Sequence, residues 1–130
     1  MSDLSVVILS YNTKAVTLQC LEALAASKLN GYTVEGIVVD NASTDGSAEA
    51  VKAFQKKITS ENLRWLLIQN QSNLGFSAGN NRGIRLAKGR YVLLLNSDVL
   101  VSPQALAKQI AFMEKHPEFA ASTCKVELSN

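Results

Sequence analysis

Cysteine occurs only twice in this chain of 130 residues, at Cys20 and Cys124, and histidine once, at His116. The two cysteines are far apart and form no CxxC or zinc-type spacing, so both are read as small buried thiols. His116, beside Pro117, has no partner in sequence and reads as a helix-terminus residue rather than a ligand or base. Charge of one sign is nowhere concentrated: 13 basic and 11 acidic residues leave a formal charge of +2. No block of like charge can track a phosphate backbone, and nucleic acid is excluded as a partner. No apolar run approaches the roughly 18 residues that span a bilayer. The opening MSDLSVVILSYN lacks a basic segment and reads as a first strand, not a signal peptide. These absences predict a reducing, cytoplasmic setting, with any hold on the inner face of a membrane coming from sequence outside this chain. Repeats, low-complexity tracts and linkers are also missing, so residues 1–130 read as one domain.

What is there is core. Hydrophobic residues make up 47% against 18% charged, ample for one compact domain. Four apolar runs, Ser5 to Leu9, Gly36 to Val39, Trp65 to Ile68 and Tyr91 to Leu95, are continuous rather than alternating, as buried parallel strands are. Val16, Cys20, Leu21 and Leu24 recur at helical spacing between the first two, and Ala48, Val51, Phe54 and Ile58 between the second pair. A third helix is read over Ile84 to Lys88 with Gly89 as its stop. A fourth has Ser102 as N-cap, Pro103 in its first turn, Leu106, Ile110 and Met113 on one face, and an end near His116-Pro117. Ala120 to Leu128 is read as a last strand whose edge lacks neighbours, which predicts self-association through an exposed sheet edge. Trp65 is assigned to core or rim packing rather than to sugar stacking. The whole is an α/β chain with a mostly parallel sheet covered on both faces, and ligands bind beyond the carboxyl ends of such strands.

Four polar segments fall at those ends. The first is Ser10-Tyr11-Asn12. Asp40 closes the second strand and opens Asn41-Ala42-Ser43-Thr44-Asp45, where its carboxylate can accept hydrogen bonds from a base edge or ribose hydroxyls. Asp45 reads as a cap for the following helix, with Glu49 adding negative charge to its first turn. In Asn73-Leu74-Gly75-Phe76-Ser77-Ala78-Gly79-Asn80-Asn81-Arg82-Gly83-Ile84, the glycines at 79 and 83 stand where a helix starts. Each interior glycine costs about 1 kcal/mol against alanine. Backbone approach to a diphosphate at a helix N-terminus explains them, with tight packing on a neighbouring element as the alternative. Last comes Asn96-Ser97-Asp98, a tight turn after a buried strand and a rigid place for an oxygen ligand to Mg²⁺ or Mn²⁺. One carboxylate and one amide leave much of the metal shell to substrate phosphates.

Ser5 to Asn12, Val38 to Gly46, Asn73 to Ile84 and Leu95 to Asp98 stand in the order and spacing of the family 2 glycosyltransferases of the GT-A fold. The chain resembles their rhamnosyltransferase-type branch from about Leu4 to about Phe119. The resemblance implies a Rossmann-like core with sheet order third, second, first, fourth strand. It implies transfer of a sugar from a UDP- or dTDP-sugar to a saccharide or lipid-linked acceptor, as in cell-envelope polysaccharide synthesis. The donor would be held by Ser10, Tyr11, Asn12, Asp40, Ser43, Gly75, Gly79, Asn80, Asn81 and Asn96, and the metal by Asp98. The family's DxD-type motif reads Asn96-Ser97-Asp98 here, so an amide replaces its first acid and Asp98 remains the main ligand. No residue matches the family's later acid, the base that activates the acceptor hydroxyl. Glu22, Glu49 and Glu114 fall in helices, Glu35 before a strand and Glu61 in a far-end loop. The expectation is therefore a donor-binding part without the acceptor-binding part. Two other readings stand beside it: a non-catalytic nucleotide-sugar-binding module, and a sugar-phosphate nucleotidyltransferase. The latter needs a glycine-rich basic loop after the first strand, and Ser10-Tyr11-Asn12-Thr13 is not one.

Overall fold

The computed structural model describes residues 1–128. Strands and helices alternate: β1 (Leu4–Ser10), α1 (Lys14–Ala25), β2 (Val34–Asp40), α2 (Ser47–Lys57), β3 (Leu63–Gln69), α3 (Gly75–Leu86), β4 (Tyr91–Asn96) and α4 (Ala105–Lys115). The four strands form one parallel sheet in the order β3-β2-β1-β4, as the resemblance implies. The middle strands are the apolar ones because a strand with neighbours on both sides and helices on both faces meets no water. Val6, Val7, Ile8, Val38 and Val39 are all completely buried, each contributing about 1.5–3 kcal/mol of transfer free energy.

Alternation along the strands divides the core in two. Val6, Ile8 and Val38 face one side, where they pack with Cys20, Leu21 and Leu24 of α1, Val51 of α2, and Leu106 and Ile110 of α4. Val7, Ile37, Val39 and Ile68 face the other and form the smaller cluster under α3. Gly83 packs so closely there that an added Cβ would lie 2.4 Å from Val7 Cγ1. Trp65 packs edge-on against Phe54 at 5.6 Å and donates its indole N–H to Ile58 O at 3.1 Å, the packing role expected of it.

Several expectations are corrected. β2 begins two residues earlier than its apolar run, because Glu35 is tolerated in a strand where its carboxylate accepts from the Ser5 hydroxyl and the Lys88 N–H, and β3 also begins two residues earlier, where Leu63 pairs with Val34. Val16 is exposed, and Thr17 takes the buried position on α1 through its hydroxyl contact with Ser10 at 2.9 Å. α3 starts at Gly75 rather than near residue 84, so the glycines lie inside it, and it ends at Leu86, with Gly89 instead fitting tightly against Ser5. Ser102 and Pro103 form a turn ahead of α4: Ala105 N donates to Ser102 O, and the Ser102 side chain caps nothing. Residues 120–128 form no strand, for no described neighbour offers them a ladder. Cys124 is exposed there, and only Cys20 is the buried thiol expected of both.

Candidate functional site

The parallel register sets Ser10 beside Asp40, and Leu9 beside Asn96, so the carboxyl ends of β1, β2 and β4 make one rim. β1 stands between β2 and β4, which puts the Asp40 and Asn96 ends about 10 Å apart.

At the β2 end the chain turns sharply. Asp40 is buried, and its Oδ2 accepts the Ser43 N–H at 3.0 Å. Its Oδ1 is also buried and has no hydrogen-bond partner. A carboxylate oxygen without a partner costs more than a buried neutral acceptor, so this arrangement stores an unmet demand for a donor. Ser43 and Asn12 tie the first two rim loops together: Asn12 N donates to Ser43 Oγ at 2.9 Å and Thr44 N to Asn12 Oδ1 at 2.8 Å. Asn12 takes a left-handed conformation to do this, at φ 50°. Tyr11, next in sequence to Asn12, is about half exposed. The Ser10 hydroxyl is buried against Thr17.

Asp45 bridges two helix starts. Its Oδ2 accepts from Lys14 N, the first residue of α1, and its Oδ1 from Ser47 N, the first of α2, both at 3.0 Å. The Ser47 hydroxyl bond foremost, with these backbone bonds, holds its carboxyl below the usual carboxylate range. Capping is thus its role, as the sequence indicates.

At the β4 end lies an open pocket of about 300 Å³ lined by Leu9, Thr13, Phe76, Asn80, Leu94, Leu95, Asn96, Ser97 and Asp98. Asp98 is exposed at its mouth and is its single carboxylate. Asn80, on α3, is buried and donates to Phe76 O at 3.0 Å. Burial pushes the thiol of Cys20, behind the rim, up to about 11, with the negative charge of Asp98 adding to the effect. Among the described residues no three His, Cys, Asp or Glu side chains gather around a point. Asp40, Tyr11 and Ser43 are not among the pocket's lining residues.

The glycines divide by role. At Gly79 a Cβ would sit 2.6 Å from Leu9 Cδ1 and 3.1 Å from Asn41 Nδ2, so what the structure shows at 79 and 83 is tight packing on the sheet. Gly75 is different: it opens α3 at φ 81° with nothing within 4 Å of a Cβ, leaving room over the helix start. Asn81, one turn on, is exposed.

Sequence reading missed Asn41. Buried beside Asp40, it accepts from Asn70 Nδ2 at 3.0 Å and Leu74 N at 3.1 Å, and donates to Gly75 O at 3.1 Å. Asn70 in turn accepts from Arg82 Nη1 at 2.8 Å. One amide thus fixes the start of α3 against the end of β2. Its only signal in sequence is its place directly after Asp40. A larger, shallower depression of about 440 Å³ lies beside Trp65 at the other end of the sheet and has no carboxylate, histidine or cysteine in its lining.

The glycosyl transferase family 2 model matches residues 5–127. The chain belongs to glycosyl transferase family 2. It is 31% identical over 88% of its length to the putative glycosyltransferase EpsE of Bacillus subtilis, covering 40% of that protein. It is 32% identical over 87% of its length to the poly(ribitol-phosphate) beta-glucosyltransferase of Bacillus spizizenii, covering 17% of it. Among solved structures, TarS of S. aureus in complex with UDP-GlcNAc superposes with a TM-score of 0.77 at 26% identity, over 88% of this chain and 32% of that one. The chain thus spans less than half the length of these family 2 relatives.

Proposed function

We propose that this family 2 chain binds the nucleotide-sugar donor for transfer to a saccharide or lipid-linked hydroxyl. The base is held at Asp40, and the diphosphate, with Mg²⁺ or Mn²⁺, at Asp98. The observation that carries the reading is the buried, unpartnered Oδ1 of Asp40. Oδ2 accepts the Ser43 N–H and Oδ1 is the oxygen without a donor, which the imide N–H of uracil or thymine would supply. UDP-GlcNAc in the TarS complex supports a UDP- or dTDP-sugar as the donor class. The names of the relatives, which concern poly(ribitol-phosphate), favour a role in cell-surface polysaccharide synthesis.

A nucleoside diphosphate anchored at Asp40 has to cross about 10 Å of rim, past β1, to reach the pocket of Asp98. Tyr11 and Ser43 flank the base end, the first turn of α3 beyond Gly75, whose own N–H is taken by Asn73 Oδ1 at 2.9 Å, faces the phosphate oxygens, and Asn80, Asn81 and Asn96 offer amides toward the sugar. The protein supplies one carboxylate for a cation, so the donor's phosphates complete the shell. A divalent ion held by Asp98 would supply the positive charge that offsets the charge of a leaving nucleotide diphosphate.

Calorimetric titration with UDP, dTDP and GDP, with and without Mn²⁺, tests both acids. Asp40→Ala is expected to weaken UDP binding about tenfold or more in either condition, the loss of one charged hydrogen bond. Asp98→Ala is expected to remove only the increment that Mn²⁺ adds. Equal affinities for wild type and both variants, each folded by circular dichroism, would show that neither acid belongs to a donor site.

A further inference from the structure

We propose that Asn41 is a positioning residue for the donor diphosphate. It holds the first turn of α3 at a fixed place relative to Asp40, so that a ligand anchored by its base has its phosphates delivered to that turn. This role rests on the donor site proposed above, but the bonds that carry it are internal to the fold. Asn41 is 2% exposed. Its side chain makes three hydrogen bonds, each to a group of the protein: Oδ1 accepts from Asn70 Nδ2 and Leu74 N, and Nδ2 donates to Gly75 O. The start of a helix leaves N–H groups without an intrahelical partner. At α3, Asn41 takes that of Leu74 and Asn73 takes that of Gly75. The next two, of Phe76 and Ser77, belong to the same turn and are the ones left to meet phosphate oxygens.

The orientation of the amides is set from the far end of the chain of bonds. Arginine can only donate, and Arg82 Nη1 reaches Asn70 Oδ1 at 2.8 Å. Asn70 is left with Nδ2 toward Asn41, at 3.0 Å, and Asn41 has to present its oxygen there. A flipped Asn41 would set its own donor against Asn70 Nδ2 and the Leu74 N–H, so one orientation alone satisfies every group. Asn70 is also tied back to β2, because its backbone N–H donates to Asp40 O at 2.8 Å. One closed set of bonds therefore joins the residue that anchors the base to the residues that open α3. A ligand with its two contact points preset in this way loses less on binding than one that must order the helix start itself.

Amide NMR titrations of the chain with uridine and with UDP, both without metal, test the role. In the wild type UDP is expected to bind more tightly than uridine and to shift the amide resonances of Phe76 and Ser77, which uridine leaves in place. Asn41→Ala is expected to weaken UDP about tenfold while uridine stays within about twofold of wild type. Asn70→Ala keeps the bonds of Asn41 to Leu74 and Gly75 but removes the one that orients its amide, and is expected to give the same split at smaller size. It carries the comparison if Asn41→Ala does not fold. Asp40→Ala is expected to weaken both ligands. Folded variants at 41 and 70 that bind UDP as the wild type does, or that lose UDP and uridine in equal proportion, overturn the positioning role, and the donor site stands if Asp40→Ala still weakens both ligands. A wild type that binds UDP no more tightly than uridine overturns the role as well. Asp40→Ala without effect on either ligand overturns the donor site and this role with it.

Discussion

At Gly83 a methyl group would meet Val7 Cγ1 at 2.4 Å and Val39 Cγ2 at 3.1 Å, and neither valine can move without disturbing the sheet. Gly83→Ala is therefore expected to cost about 1–3 kcal/mol of stability in urea denaturation, as overpacking of a dense core does. Helix propensity acts in the opposite direction, since alanine is the better helix former. A neutral or stabilised variant would show that α3 has slack over β1. Gly75→Ala has ample room but imposes φ 81° on an L side chain, a penalty of about 1–2 kcal/mol. The cysteines divide as clearly. Cys20 is buried with its thiol pushed up to about 11, whereas Cys124 is exposed. Because the thiolate is the reactive form, a thiol reagent at pH 8 is expected to label one cysteine in the native protein and both in urea. Rapid labelling of Cys20 without denaturant would mean that α1 opens.

Among the elements, α1 and α2 share one cap. Both start against the Asp45 carboxylate, so Asp45→Ala leaves two helix N-termini without an acceptor and is expected to lower the thermal midpoint. The folded-state value of Asp45 is depressed below 3.8, foremost by the Ser47 hydroxyl. Its contribution is then fully present above the unfolded value and is lost as pH falls through the folded one. The gap between wild type and Asp45→Ala should hold near pH 6 and close below about pH 4. A constant gap would mean that the charge is irrelevant to the cap. This shared cap shows how far sequence reaches. Asp45 as a cap for α2 was legible from Thr44-Asp45-Gly46-Ser47, because capping is local. Its second bond, to Lys14, joins residues 31 apart and had no local sign. The same holds for α3: a polar run with interior glycines looks like a loop until Val7 and Val39 supply the surface that favours a helix there. The strands and the rim segments were legible because continuous apolar runs and their polar ends are written in consecutive residues, whereas the strand order was implied by the family resemblance. Asn41 was not, since its partners lie at Asn70, Leu74 and Gly75.

For the molecule as a whole, the placement of its acids bears on the donor site proposed above and on the search for a base. Activating an acceptor hydroxyl takes a base within hydrogen-bond reach of it. The pocket at the β4 end holds one carboxylate, Asp98, which the donor phosphates and their cation would occupy. Asp40 accepts the Ser43 N–H and, as proposed, the nucleobase, and Asp45 is committed to two helix starts. Glu35 is held by Ser5 and Lys88 at the amino end of the sheet. Glu114, on α4, accepts from Tyr32 at 2.9 Å and lies 3.5 Å from Arg90, also away from the rim. Protons can therefore be taken up in several places, but none of them is where an acceptor would meet the donor sugar. Positioning and activation of the acceptor supply much of a transferase's rate, so residues 1–130, tested by themselves, are expected to bind a nucleotide sugar with little transfer. Hydrolysis to free UDP and transfer to a saccharide panel, followed with UDP-GlcNAc and Mn²⁺ at saturating protein, would measure it. The expected result is saturable binding by calorimetry with product at the no-enzyme background. Turnover well above that background would instead show that these residues carry a base of their own, and its loss in an Asp98→Asn variant that keeps the Mn²⁺-dependent increment in UDP binding would make Asp98 that base.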